Sequence, residues 1–176
     1  HCSPSRHDPD RISKVLLLTD GGGSRRIGDV VQPATWAVAI LTISDTMELA
    51  FDSFLGGEVH TQSSSGQFMG ADKGTSTTGE VTAQTVAGFV AVSNLLGVKP
   101  GTEYEVIYDS TSAADMAIAV ATAKRHVWLQ AICASVWQMA STQHTVSWRH
   151  SYSHSGDAWN ELADSLVAHM ASHPLA

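Results

Sequence analysis

The stretch that decides the fold class is "KVLLLTDGGGS", residues 14–24. Its apolar run from Val15 to Leu18 is continuous, which is typical of a strand buried on both faces at the centre of a sheet. The run ends at Asp20, and three glycines follow it. An aspartate in front of glycines is also a common turn former, so this stretch alone leaves the role of Asp20 open.

The remaining elements predict an α/β domain with the order β, β, β, α, β, α, α, β, α and no internal repeat. The runs "ATWAVAILTIS" and "TMELAFDSFL" predict two strands joined by a hairpin at Ser44-Asp45. Residues 56–78 are rich in Gly, Ser and Thr and predict a long surface loop. Further strands are predicted at "EYEVIY" and "HTVSWRHSYS".

Two apolar helices are predicted between these strands. "GEVTAQTVAGFVAVSNLLG" is apolar nearly all round, which indicates a buried helix, and Gly97 and Pro100 end it. We expect Glu80 to open this helix, where an acid also simply complements the helix dipole. "VWLQAICASVWQMAS" predicts a second buried helix.

Two further acids stand where ligands are often bound. Asp109 follows the strand "EYEVIY" directly, and open α/β sheets bind ligands at such ends, although Asp109 or Ser110 can equally cap the next helix. In the last helix Asn160 and Asp164 are four residues apart and share a face at the margin of the apolar stripe. His154 lies in a Ser/Gly loop before that helix, and alone it is typical of a surface residue.

Composition limits the class of protein. The 176 residues suit one domain with a substantial core, and 43% of them are hydrophobic. A net charge of −7 argues against a self-sufficient binder of phosphate backbones, unless carboxylates hold divalent cations or a neighbouring domain supplies basic groups. Cys2 and Cys133 indicate reduced thiols, and no membrane span or signal peptide is visible. We therefore expect an intracellular protein, in the cytoplasm or nucleus.

The expected domain limits follow from the ends of the chain. Residues 1–13 are polar and aperiodic and predict a flexible tail or linker, residues 14–172 the domain, and residues 173–176 a C-terminal tail. The first residue is His1, without an initiator methionine, so we expect a piece of a longer protein.

Taken together, the motifs resemble the type I ribonuclease H family over residues 14–172. "LLLTDGGGS" is similar to the family's first strand ending in Asp-Gly, and "TTGEVTAQTVAGFVAV" to the helix that carries the second acid in its first turn. "VIYDSTSA" resembles the strand ending in Asp-Ser, and "HSGDAWNELADSLV" the His-x-Gly-x-x-x-Asn-x-x-x-Asp signature. Each motif is weak alone, but together they occur in the family's order on the expected elements.

The resemblance implies a ribonuclease H-like fold, with a mixed five-stranded sheet whose first three strands are antiparallel and with helices on both faces. It implies a metal-dependent endonuclease that hydrolyses the RNA strand of RNA–DNA hybrids and leaves 5′-phosphates. The implied catalytic and metal-binding set is Asp20, Glu80, Asp109 and Asp164. Clustered carboxylates would repel one another, and two Mg²⁺ ions, or Mn²⁺ in their place, relieve the repulsion and catalyse the reaction.

The remaining residues carried over from the resemblance assist these acids. His154 is expected to relay protons or to assist product release. The expected substrate-binding set is Gly21, Ser24, Ser76, Thr77, Ser110 and Asn160.

The chain departs from the family pattern at several places, and one departure, the missing basic handle, is shared with retroelement domains that also resemble this chain in its acidic balance and absent initiator methionine. Gly22 and Gly23 intervene before Ser24, the loop over 56–78 is long, and Ser76 and Thr77 stand where asparagines are common. The segment "VWQMASTQH" lacks the basic handle of some family members. We therefore expect a ribonuclease H domain of a retroelement polyprotein, monomeric when isolated, whose covalently linked reverse transcriptase would hold the hybrid.

Three alternatives stay open at the level of sequence. The chain could be an inactive ribonuclease H-like module that binds nucleic acid or a partner, although all four acids are present. It could be a related polynucleotidyl transferase, such as an integrase or resolvase. His144, His150 and His154 could also form a zinc site, although no cysteines lie nearby.

Overall fold

The computed structural model describes residues 6–62, 64–67, 76–108 and 127–150, and the structural statements below concern those residues. Seven strands are present: β1 (Ile12–Gly22), β2 (Arg25–Ile27), β3 (Val30–Gln32), β4 (Thr35–Ser44), β5 (Leu49–Glu58), β6 (Glu103–Tyr108) and β7 (Thr145–His150). Two α-helices, α1 (Ser76–Val92) and α2 (Val127–Gln143), and a 3-10 turn at Pro9–Arg11 complete the described elements.

Five of the strands form one mixed sheet in the order β5-β4-β1-β6-β7. β1 pairs antiparallel with β4, and β4 with β5, whereas β1–β6 and β6–β7 are parallel. The predicted sheet, with its first three long strands antiparallel, is therefore confirmed. The turn between β4 and β5 also lies at the predicted place, where the Ser44 amide donates to the Glu48 carbonyl oxygen at 2.9 Å.

β1 is the central strand because its apolar run is buried on both faces. Val15 and Leu17 are fully buried in the larger core, which also holds the inner faces of α1 and α2. Leu16 and Leu18 belong to a second apolar cluster on the opposite face of the sheet, which includes Ala39, Leu41 and Ile107. Both described helices lie on the first face, and the predicted C-terminal helix lies outside the described residues.

α1 and α2 pack against each other over the first face of the sheet. The indole of Trp137 donates to the backbone carbonyl of Gln84 at 2.8 Å, which ties the middle of one helix to the other. Gly88 permits their close approach, because a β-carbon there would lie 2.6 Å from a methyl group of Val136. α1 also contacts β1, β4 and β6, so it is held against the sheet centre.

The opposite face carries a charged row that runs across the parallel strands from Lys14 to Arg149. The Lys14 ammonium contacts the Glu105 carboxylate and lies 3.4 Å from that of Glu103. Arg149 reaches the other oxygen of Glu105 at 2.6 Å. The Glu105 side chain, 11% exposed, is thus neutralised from both sides, as a largely buried carboxylate requires.

Three local predictions need correction. α1 begins at Ser76 and ends at Val92, so Glu80 is its fifth residue and does not open it, and residues 93–97 lie beyond it. The order of strands omitted β2 and β3, which form a separate two-stranded hairpin. Residues 6–13, predicted to belong to a tail, include the 3-10 turn and the start of β1, and His7 Nδ1 lies 2.9 Å from the Thr42 hydroxyl.

Candidate active site

The carboxyl ends of the three parallel strands lie along one edge of the sheet. Leu18 of β1 is opposite Ile107 of β6, and Tyr108 of β6 is opposite His150 of β7. The Thr19 hydroxyl donates to the Ile107 carbonyl at 3.2 Å, which holds β1 to β6 just before Asp20. Ligands of α/β sheets bind outside such ends, so this edge is the candidate site.

Asp20 is buried at this edge, with 4% of its surface exposed. It lies opposite Ala37 of β4, so its backbone is fixed within the sheet ladder. One carboxylate oxygen accepts a hydrogen bond from the Gly21 amide at 2.9 Å. Burial of a carboxylate is costly unless hydrogen-bond partners or a cation compensate for it. A buried carboxylate in such a place is therefore a candidate functional group.

Glu80 reaches the same edge because α1 touches the end of β1 through glycine backbones. A β-carbon on Gly21 would overlap the backbone nitrogen of Glu80 and the backbone of Gly79. A β-carbon on Gly79 would lie 2.5 Å from the Thr35 carbonyl oxygen. Only glycine at both positions allows this contact, which sets Glu80 beside the residue that follows Asp20.

The two acids approach the edge from different sides of the sheet. Side chains alternate along a strand, so Asp20 shares the face of Leu16 and Leu18, whereas Gly21 turns toward α1. Glu80 comes from α1 on the first face and is partly buried. Gly21, the residue of β1 after Asp20, is therefore the point at which the strand meets the Glu80 backbone.

The structure brings together only part of the predicted site. Gly21 adjoins both Asp20, its chain neighbour, and the Glu80 backbone. Ser24 is exposed two residues beyond β1, and Ser76 and Thr77 lie in the first turn of α1, where a loop was predicted. The other predicted site residues lie outside the described residues: Asp109, Ser110, His154, Asn160 and Asp164. Within the described ranges, no group of three or more His, Cys, Asp or Glu residues could hold a metal ion.

The alternative of a zinc site that includes both His144 and His150 is wrong. His144 precedes β7 and His150 ends it, so about six residues of strand, or roughly 20 Å, separate them. His144 is buried against Tyr104, with ring centroids 4.8 Å apart, whereas His150 packs on Tyr108 at 5.4 Å. One zinc ion, with ligands about 2 Å away, cannot bind both.

The β2–β3 hairpin is the feature that sequence reasoning missed at this edge. It lies between Gly22 and Thr35, the last residue pair of the β1–β4 ladder. Its signal was the two-residue turn Gly28-Asp29 between Ile27 and Val30, and Gly28 has a φ of +61°. Glycine at the first turn position with positive φ is typical of a tight two-residue hairpin turn.

No protein-family model and no curated protein matches the sequence, whereas solved structures match the fold. The chain is similar to the N-terminal ribonuclease H domain of Rv2228c from Mycobacterium tuberculosis, solved as a fusion with maltose binding protein. The TM-score is 0.58 and the identity 18%, over 91% of this chain and 97% of that one. Among the described helices, none is long and apolar enough to cross a membrane.

Two further ribonucleases H match in the same way. Ribonuclease H1 of the archaeon Halobacterium salinarum has a TM-score of 0.54 and 18% identity, over 87% of this chain and 93% of that one. LC11-ribonuclease H1, isolated from compost by a metagenomic approach and solved in complex with an RNA/DNA hybrid, has a TM-score of 0.57 and 15% identity, over 90% and 96%. The chain therefore has the ribonuclease H fold.

Proposed function

We propose that this chain is an endonuclease that hydrolyses the RNA strand of RNA–DNA hybrids with the help of divalent cations. The observation that carries the proposal is the buried carboxylate of Asp20 at the end of the central strand. α1 packs onto the next residue, Gly21, so that the Glu80 backbone adjoins Gly21. The ribonuclease H fold, and the hybrid bound to LC11-ribonuclease H1, support the choice of substrate.

The described donors fit Mg²⁺ or Mn²⁺ better than a softer metal. Asp20 and Glu80 offer carboxylate oxygens, which hard cations prefer. Asp109 follows Tyr108, the last described residue of β6, whose partner residue in β7 is His150 at the same edge. We infer that Asp109 and Asp164 complete the ligand set with Asp20 and Glu80.

The chain's own residues would hold and orient the reacting groups. Asp20 is fixed by the ladder and by the Gly21 amide, so its carboxylate is preorganised to bind a cation. Two bound Mg²⁺ ions supply activation of a water and stabilisation of the leaving 3′ oxygen. His154 would move protons. The Gly21 backbone adjoins Asp20, and Ser24 is exposed two residues beyond β1, so we infer that both would contact the RNA strand.

The acidic charge favours a role within a larger protein. With a net charge of −7 the chain has few groups for holding a polyanion, so a covalently linked reverse transcriptase would hold the hybrid. The isolated domain would then be a monomer that binds weakly and loses activity steeply as salt rises. Tight binding with little salt dependence would contradict this context and would leave the nuclease assignment intact.

The test is incubation with labelled RNA–DNA hybrid, RNA duplex and DNA duplex, each with Mg²⁺ or EDTA. We expect internal cutting of RNA only in the hybrid, abolished by EDTA, with 5′-phosphate and 3′-hydroxyl ends. Asp20→Asn is the matched inactive control, because it removes one charge and keeps the shape. Equal cutting of all three duplexes would contradict the assignment, and cutting of DNA alone would favour the polynucleotidyl transferases.

A further inference from the structure

The β2–β3 hairpin continues the central antiparallel ladder beyond the candidate site. The last pair of the β1–β4 ladder is Gly22 opposite Thr35, and the first pair of the hairpin is Arg25 opposite Gln32. Each strand has advanced three residues between these pairs, so the register is unchanged. The hairpin, which we call the arm (residues 25–32), is therefore an extension of β1 and β4 interrupted at residues 23–24 and 33–34.

This continuity directs the arm away from the sheet on the side of Asp20. Arg25 follows Asp20 by five residues, which at most span about 16 Å of extended chain. A nucleic acid strand advances about 3.4 Å per nucleotide along its axis. A hybrid cut at Asp20 would thus bring phosphates within about five nucleotides of the cleaved bond alongside the arm.

The arm exposes apolar side chains that would ordinarily be buried. Ile27, Val30 and Val31 are 58%, 65% and 62% exposed, so they add no burial to either core cluster. β-branched residues stabilise the two short strands, yet an isolated two-stranded hairpin is only marginally stable in water. Such a surface is typical of a segment that is completed by contact with another molecule.

Charge identifies the kind of molecule. The arm begins with Arg25-Arg26, two of only ten basic residues in a chain of net charge −7. Lys14 and Arg149 are neutralised by Glu105, whereas Arg26 is exposed and has no ion-pair partner in the described part of the chain. A basic pair next to an acidic, phosphate-cleaving edge complements a polyanion better than an apolar protein surface.

Resting on the proposed function, we propose that the arm binds the sugar–phosphate backbone of the RNA–DNA hybrid next to the cleaved bond. Arg26 contacts a phosphate, Arg25 adds a second positive charge to the arm, and the exposed apolar side chains pack on the sugars. Contacts of this kind position a substrate without reading its sequence. The arm thereby supplies the isolated domain with local cationic binding that its overall charge lacks.

The test measures binding of the full chain to a labelled hybrid in EDTA, where cleavage is absent. The arm variant Arg25→Gln/Arg26→Gln is compared with Arg11→Gln/Lys99→Gln, which removes the same charge from exposed positions next to the opposite ends of β1 and β6. We expect the arm variant to raise Kd about tenfold at low salt and the control less than about twofold. Loss of the two positive charges should also reduce the slope of log K against log salt, by about 0.9 for each phosphate that they neutralise.

A third variant, Ile27→Thr/Val30→Thr/Val31→Thr, keeps the β-branched shape and removes apolar surface. We expect it to weaken hybrid binding by a smaller factor with an unchanged salt slope. Equal weakening by the arm and control variants would show that only the total charge matters and would overturn the proposal. The proposal would also be overturned if no arm variant changed hybrid binding, or if the unsubstituted chain did not bind the hybrid. Unaffected binding would point instead to a protein partner for the apolar surface.

Binding and cleavage keep the two proposals apart. If the arm variant loses binding as expected and the unsubstituted chain cuts no hybrid with Mg²⁺, hybrid binding by the arm stands, whereas the nuclease assignment and the position next to a cleaved bond fail. If the chain cuts hybrid and the arm variant binds normally, the assignment stands and the arm proposal fails. Thermal melts of each variant confirm that a loss of binding is not a loss of folding.

Discussion

Replacement of Gly21 by alanine tests whether glycine contact between β1 and α1 builds the site. The new β-carbon would overlap the backbone nitrogen of Glu80 and the backbone of Gly79. Backbone atoms cannot rotate aside as a side chain can, so α1 must shift from the sheet. Overpacking of this kind costs about 1–3 kcal/mol, and we expect the upper half of that range because α1 also contacts β4, β6 and α2.

The melting temperature and the hybrid cleavage rate report the two consequences separately. A loss of about 2–3 kcal/mol lowers Tm by roughly 4–12 °C in a chain of this size. A displacement of about 1 Å at a catalytic group lowers the rate about 10²-fold. At a temperature where the variant is still folded, the cleavage rate should therefore fall by more than the small loss of folded protein explains.

Two alanine controls bracket this result. Gly66→Ala meets nothing within 4 Å and should change neither quantity. Gly88→Ala meets side-chain atoms of Val136 and Trp137 between α1 and α2 and no backbone of β1, so it should lower Tm while the cleavage rate of the folded protein is retained. A Gly21→Ala protein with unchanged Tm and cleavage rate would refute the reasoning.

Three other outcomes follow from the described environments and the proposed roles. Asp20→Asn should nearly abolish hybrid cleavage, while thermal melts show equal or higher stability. His154→Ala should slow turnover by about 10²–10⁴-fold at most. Equal loss of cleavage in the two variants would contradict the roles of metal ligand for Asp20 and proton carrier for His154. Burial lowers the pKa of His144 despite its hydrogen bond to the Ala91 carbonyl, so its stabilising contribution is present above about pH 6.5 and declines as pH falls below it. Urea denaturation at pH 5 and 7.5 should therefore show a smaller difference for His144→Phe than for the parent chain, and an equal difference would exclude His144 as the source. Burial raises the pKa of Cys133 to about 12, so a thiol reagent should modify it only after unfolding, as peptide mass spectrometry would show.

The sheet could be predicted because burial on both faces leaves a distinctive pattern. Val15 to Leu18 have no polar interruption, and the structure buries them in two clusters on opposite faces. Alternating or β-branched runs likewise identified β4, β5, β6 and β7. These signals are local, since they depend only on which side of a strand meets the core.

The start of α1 could not be predicted because its residues favour loops. Ser76, Thr77 and Thr78 continue a Gly/Ser/Thr-rich run, yet they form the first turn of the helix. Their place is set by tertiary contact, in which Gly79 packs beneath the Thr35 carbonyl oxygen and the Thr82 hydroxyl bonds to the Thr78 carbonyl at 2.6 Å. Propensity is a weak guide where packing decides.

For the candidate site, the sequence predicted Asp20 from its place at a strand end and Glu80 from the resemblance, and their catalytic role stays a prediction. The structure sets the Glu80 backbone against Gly21, the residue after Asp20. The Gly21–Gly79 contact joins residues far apart in sequence, so no local pattern reveals it. The arm was missed because its two strands are only three residues long, and no element was predicted between "KVLLLTDGGGS" and "ATWAVAILTIS".

The contact between Gly21 and α1 also determines which mutations the site can tolerate. The spacing between strand and helix at this point is defined by main-chain atoms, which are the same whatever side chains the core contains. Conservative exchanges deeper in the core, such as Val90→Ile at the far end of α1, therefore alter packing without changing that spacing. The domain can drift widely in its interior sequence while the geometry at Asp20 and Glu80 is preserved, provided that the two glycines are kept.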